Sequence, residues 1–154
     1  MSDEFYREVV DKFIFTVKKD LLYTENDVWI SIKDGKAQIG VTDFLQRRGG
    51  DAVFVELPKK GSNVRRLEEI AKFETIKAVL SVISPFNGVI IEVNTSLNDK
   101  PELINEDPYG EAWLALISPS NLQEDTRHLM TAEKYFELMK SKIKDEHKSS
   151  RKEV

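Results

Sequence analysis

The middle of the chain is patterned in steps of two. Ile30 and Ile32 alternate with Ser31 and Lys33, Asp34-Gly35 offers the left-handed residues of a tight turn, and Ala37, Ile39 and Val41 alternate on the return. This predicts a β-hairpin. Thr42 or Asp43 then caps a short helix through Leu45, which Gly49-Gly50 can end in a left-handed exit. Residues 52–57 read as a further strand, stopped by Pro58 and turned at Lys60-Gly61-Ser62. Residues 66–73, 79–83, 89–93 and 113–117 are further strand candidates, and 94–111, rich in Asn, Asp, Pro and Gly, reads as a long ordered loop.

The period changes at the two ends. Phe5, Val9 and Phe13 fall four apart, as on one helix face, although 13–17 reads equally well as a strand. Thr131 is placed to cap a C-terminal helix whose apolar face takes Ala132, Tyr135 or Phe136, Leu138 or Met139, and Ile143. Short strands with regular punctuation predict a mainly β sandwich or barrel, with N- and C-terminal helices packed outside.

Composition narrows the chemistry. The 154 residues are 40% apolar and 32% charged, a balance that suits one domain with a real core. No apolar run approaches the roughly 20 residues of a membrane-spanning helix. Asp3, Glu4 and Glu8 ahead of a short apolar patch fit neither a secretory signal nor a transit peptide, so the expected compartment is the cytoplasm. The net charge is −4, yet residues 140–154 hold six Lys/Arg against three Asp/Glu, so the body is more acidic than the whole. An acidic body argues against a nucleic-acid groove, and the mixed-sign tail reads as a solvated helix end.

With no cysteine, the chain has no disulfide, thiolate nucleophile or Cys-type metal site. His128 and His147 are too few for a multi-histidine site. Glu102, Glu106, Asp107 and Glu111 follow no metal-loop spacing and read as loop solubility, and Trp29 and Trp113 read as core packing. No catalytic constellation or metal set is visible, which points to a non-catalytic protein.

The stretch around Lys77 is the most informative, although on local pattern alone Lys77 reads as an exposed turn lysine. It lies between two strand-like apolar runs, where the chain must reverse if those runs pair, and so is expected at a hairpin tip. On the same pattern Ile76, Val79, Val82 and Ile83 are expected to bury against the sandwich.

Around that lysine the sequence resembles a family. Tyr23-Thr24, Trp29-Ile30, 39–43, 50–58, Glu74-Thr75-Ile76-Lys77-Ala78, 84–88, 92–94 and 104–114 follow, in order, the pattern of the glycine cleavage system H-protein. The resemblance covers about residues 21–140. It implies a barrel-sandwich hybrid of the lipoyl/biotinyl-carrier type, with lipoic acid in amide linkage on Lys77 and with Glu74, Thr75, Ile76 and Ala78 read by the attaching enzyme. Biotin carriers usually flank their lysine with methionines, whereas Lys77 sits between Ile76 and Ala78, so lipoate is the expected passenger. The implied division is an N-terminal extension of helix or strand at 1–20, a carrier β domain at 21–120, C-terminal helices at 121–145 and a flexible charged tail at 146–154.

The implied partners are a lipoate ligase or octanoyl/lipoyl transferase, then glycine decarboxylase, aminomethyltransferase and dihydrolipoyl dehydrogenase, served by a monomer that meets neither nucleic acid nor membrane. By the resemblance, Asn26, Val28, Arg48 and Ser81 border the cleft where the loaded arm docks. Three of these depart from the family: Val28 replaces a glutamate, Ser81 an aspartate and Arg48 a histidine. Fewer carboxylates would hold an alkylammonium less well, unless Glu25 or Asp27 replaces the charge. These departures motivate an alternative, a lipoyl carrier of sulfur intermediates for heterodisulfide-reductase-like subunits.

Overall fold

The computed structural model describes residues 4–152, with side chains through 146. The chain opens on β1 (Phe5–Val10) and β2 (Phe13–Lys18), an antiparallel pair forming its own two-stranded sheet. The N-terminal helix of the expectation is therefore absent from this segment. Its four-residue spacing is overridden by period two: Tyr6, Val10, Phe15 and Val17 pack against a core, while Val9 and Ile14 stand exposed as cross-strand partners.

Next come β3 (Leu22–Tyr23), β4 (Val28–Lys33) and β5 (Lys36–Val41). The β4–β5 hairpin is as expected, with Asp34 at φ 53° and Gly35 at φ 74° making the turn. Helix α1 (Asp43–Gly49) is capped by Thr42, whose Oγ1 accepts from Leu45 N at 3.3 Å. It ends at Gly50, whose φ of 87° few side-chain-bearing residues tolerate.

Beyond α1 the chain forms β6 (Ala52–Glu56), β7 (Asn63–Val64), β8 (Glu69–Thr75), β9 (Val79–Ile83) and β10 (Gly88–Val93). The expected long loop contains two short helices, α2 (Ser96–Asp99) and α3 (Leu103–Glu106), which bury Leu97 and Ile104. Strand β11 (Ala115–Pro119), α4 (Leu122–Thr126), β12 (Met130–Thr131) and α5 (Ala132–Lys152) complete the order. The N-terminal part of the segment expected as a tail thus continues α5. His147 lies outside the described side chains.

A seven-stranded sheet, β12-β3-β4-β5-β11-β10-β7, and a three-stranded sheet, β6-β8-β9, make the expected mainly β architecture. Both sheets contribute to one core that includes Val28, Ile30, Val55, Phe73, Val82 and Ile117. A second core joins Val17, Tyr23, Trp29, Phe44 and, from α5, Tyr135, Met139 and Ile143. Strand β4 lies between them, which is why Val28, Trp29 and Ile30 are all buried despite alternating sides. The Trp29 indole lies where a Cβ on Gly40 would stand, within 2.5 Å, and its Nε1 donates to Pro108 O at 2.8 Å.

Candidate functional site

Strands β8 and β9 pair antiparallel through Glu74↔Val79, leaving Thr75 to Ala78 as the reversal. The turn is closed from within: Thr75 N donates to Ala78 O at 2.9 Å, and Thr75 Oγ1 accepts from Ala78 N at 3.0 Å and Lys77 N at 3.3 Å. Thr75 is itself buried, so the turn is tied to a rigid anchor while Lys77 stands exposed at the tip. Among the described residues, no side chain or backbone oxygen takes a hydrogen bond or ion pair from the Lys77 ammonium. The arrangement offers an accessible amine in a defined place, which suits acylation by an external enzyme.

Behind the turn lies the end of α1. The Lys77 Cε is 3.4 Å from where a Cβ on Gly50 would be, and Leu80 Cδ1 occupies the space a Cβ on Gly49 would need. The two glycines that end the helix are thus also a flat backing for the lysine hairpin. Asn105 holds this backing in place: its Nδ2 donates to Gly50 O at 2.9 Å and Gln46 Oε1 at 3.0 Å, and its Oδ1 accepts from Ala52 N at 2.8 Å. The glycine pair read from sequence as a helix exit alone, because nothing local marks which distant strand will pack on it.

The residues around Lys77 expected to be buried divide. Val82 is buried and Ile83 half-buried, but Ile76 is 92% exposed and Val79 60% exposed. Ile76 lies on the turn beyond the paired strands, and Val79 faces the outer side of the sheet, opposite to Leu80, so neither has a core to pack on. Glu74 and Ala78 flank the turn, half-buried.

The four residues assigned to a docking cleft are not gathered into one. Val28 is fully buried in the first core, opposite Val41, so its side chain faces apolar packing rather than a cleft. Arg48 pairs with Glu146 of α5 at 2.8 Å and lies over the Phe44 ring. Ser81 is exposed on β9, on the opposite side from Leu80 and hence away from α1. Asn26 lines a cleft of about 280 Å³ with Thr24, Glu25, Arg66, Leu67 and His128. Arg66-Leu67 precede β8, so this cleft is about one strand length, or roughly 20 Å, from the Lys77 turn.

Asp27 is not free to supply the missing charge. Its buried carboxylate accepts from Tyr135 Oη at 2.7 Å and Lys142 Nζ at 3.0 Å. Burial, with that carboxylate beside it, pushes the Tyr135 hydroxyl well above the ordinary phenol range.

Comparison with known proteins places this geometry. The glycine cleavage H-protein profile matches residues 21–142. The chain belongs to the glycine cleavage H-protein family. It is 47% identical over 128 residues to a probable glycine cleavage system H protein of Pyrococcus abyssi, covering 82% of this chain and 95% of that one. A glycine cleavage system H protein of Bacillus velezensis is 42% identical over 120 residues, covering 78% and 94%. The crystal structure of the Mycobacterium marinum H protein superposes with a TM-score of 0.71 at 37% identity, covering 77% of this chain and 95% of that one. Strands β1 and β2 lie outside the family match.

Proposed function

We propose that the chain is a non-catalytic carrier that holds lipoic acid in amide linkage on Lys77. So loaded, it shuttles an aminomethyl group and reducing equivalents between glycine decarboxylase, aminomethyltransferase and dihydrolipoyl dehydrogenase, as a cytoplasmic monomer. Among the described residues no helix is long and apolar enough to cross a membrane.

The observation that supports this reading most directly is the turn that presents Lys77. Thr75 fixes the backbone of the reversal, Gly49 and Gly50 leave room for the hairpin and the lysine stem, and the amine is exposed without a described partner. These residues fit a group attached through an amide and projecting into solvent. When bound, that group supplies dithiolane redox and transfer chemistry, which a chain without cysteine cannot supply itself. The chain's own contribution is placement: a rigid base limits where the swinging arm begins.

The sulfur-carrier alternative drew on altered residues at Val28, Arg48 and Ser81. Packing accounts for the first and an ion pair to Glu146 for the second. The relatives reported above are glycine cleavage H proteins, and none supports the sulfur role.

The test is intact mass after expression with lipoate and a lipoate ligase, followed by incubation with glycine decarboxylase and labelled glycine. The expected result is a lipoyl increment lost in Lys77→Arg, and label retained only on the lipoylated protein. A modified Lys77→Arg protein, or a lipoylated wild type that takes no label, overturns the reading.

A further inference from the structure

The outer face of the three-stranded sheet is ordered in rows by its register. Phe54, Glu74 and Val79 lie side by side across β6, β8 and β9, and Glu56, Lys72 and Ser81 form the next row away from the turn. Phe54 is 52% exposed and Val79 60% exposed, with Ile76 beyond them on the turn itself. Lys72 and Glu56 pair at 3.3 Å in the second row. Around the half-buried Glu74, the exposed side chains nearest the attachment lysine are thus apolar, and the Glu56–Lys72 ion pair lies one row farther out. This is the layout of a protein interface, with an apolar centre and a polar rim.

We propose that Phe54, Ile76 and Val79 are the docking surface for the enzyme that acylates Lys77, a lipoate ligase under the function proposed above, on which this inference rests. Geometry selects that occupant. In the attachment step the Lys77 amine displaces AMP from an acyl adenylate: the amide C–N bond forms, the acyl–phosphate C–O bond breaks, and a proton leaves the nitrogen for solvent. The amine lies only one lysine side chain from the turn, so the enzyme's reaction centre must close over the turn and cover its neighbours. Enzymes that meet the end of the completed arm have no such need, because the arm itself bridges the gap. Burying exposed apolar area at the one unavoidable contact gives the attaching enzyme its affinity.

The experiment compares wild type with the double variant Phe54→Ser/Val79→Ser, using purified lipoate ligase, lipoate and ATP, with loading followed by intact mass. The expected result is kcat/KM for the carrier lowered at least ten-fold, mostly through KM, with Tm within about 2 °C of wild type. Phe13→Ser/Ile14→Ser, an equally exposed pair on the β1–β2 hairpin, should load at the wild-type rate. The double variant, driven to full loading, should be reduced by dihydrolipoyl dehydrogenase at the wild-type rate. Unchanged loading of the Phe54/Val79 variant, or an equal loss in the Phe13/Ile14 variant, overturns the assignment. Slowed reduction would make the patch a general docking face and also overturn it. A wild type that never acquires lipoate defeats the functional reading itself, and this inference with it.

Discussion

Tyr135 and Asp27 are 108 residues apart in sequence, and the tyrosine hydroxyl donates to the aspartate carboxylate at 2.7 Å in the interior. The same hydroxyl is 2.9 Å from Thr42 Oγ1, and Lys142 completes the carboxylate's shell. One side chain of α5 is thereby tied to the turn before β4 and to the cap of α1. Asp27 adopts a left-handed φ of 65°, and its carbonyl accepts from Thr42 N at 3.1 Å. The C-terminal helix is therefore joined to the carrier body by a polar link as well as by the second core.

Tyr135→Phe should destabilise the protein by about 1–3 kcal/mol, since the ring stays while the buried Asp27 carboxylate loses a donor and the Thr42 hydroxyl loses its acceptor. Urea denaturation measures this. A midpoint identical to wild type would show that Lys142 alone satisfies Asp27.

Stability should fall on the alkaline side. Burial raises the hydroxyls of Tyr23, Tyr109 and Tyr135 above their ordinary value. Above about pH 10 the unfolded chain loses these protons while the folded one keeps them, so unfolding is increasingly favoured as pH rises. Tm measured from pH 8 to pH 11.5 should be flat up to about pH 9.5 and then drop. Tyrosinate absorbance from these three residues should appear together with unfolding rather than before it.

Phe73 and Ile76 lie three residues apart in the same hairpin at opposite extremes of burial, 0% and 92% exposed. Phe73→Ala should cost about 3–5 kcal/mol, whereas Ile76→Ala should stay within about 0.5 kcal/mol. Comparable melting shifts in the two would show that Ile76 does not lie beyond the core as described.

Gly40→Ala places a methyl where the Trp29 indole lies. The ring must shift, straining or breaking its bond to Pro108, at a cost of about 1–3 kcal/mol. Thermal denaturation should show the loss, and tryptophan fluorescence should shift to the red. An unaltered spectrum would mean that the strand yields instead of the ring.

Much of this protein was legible in its sequence because the information was local. Period-two alternation and Asp34-Gly35 specify the β4–β5 hairpin, Thr42 and Gly49-Gly50 bracket α1, and strands 79–83 lie where the pattern placed them. Lys77 lies at a reversal because two apolar runs on either side of it pair. Which apolar residues are buried was not local. Val28, Trp29 and Ile30 are all interior because β4 is covered on both sides, while Ile76 is exposed on the turn itself and Phe54 and Val79 are exposed on the uncovered outer face of the three-stranded sheet. Phe5, Val9 and Phe13 spell a helix face, yet pairing with the next strand and packing on α1 and α5 make the segment a hairpin. Side-chain chemistry can be read from one residue at a time. Burial, ion pairing and the backing of Lys77 by Gly50 depend on which distant segments the folded chain brings together, and only the tertiary structure decides that.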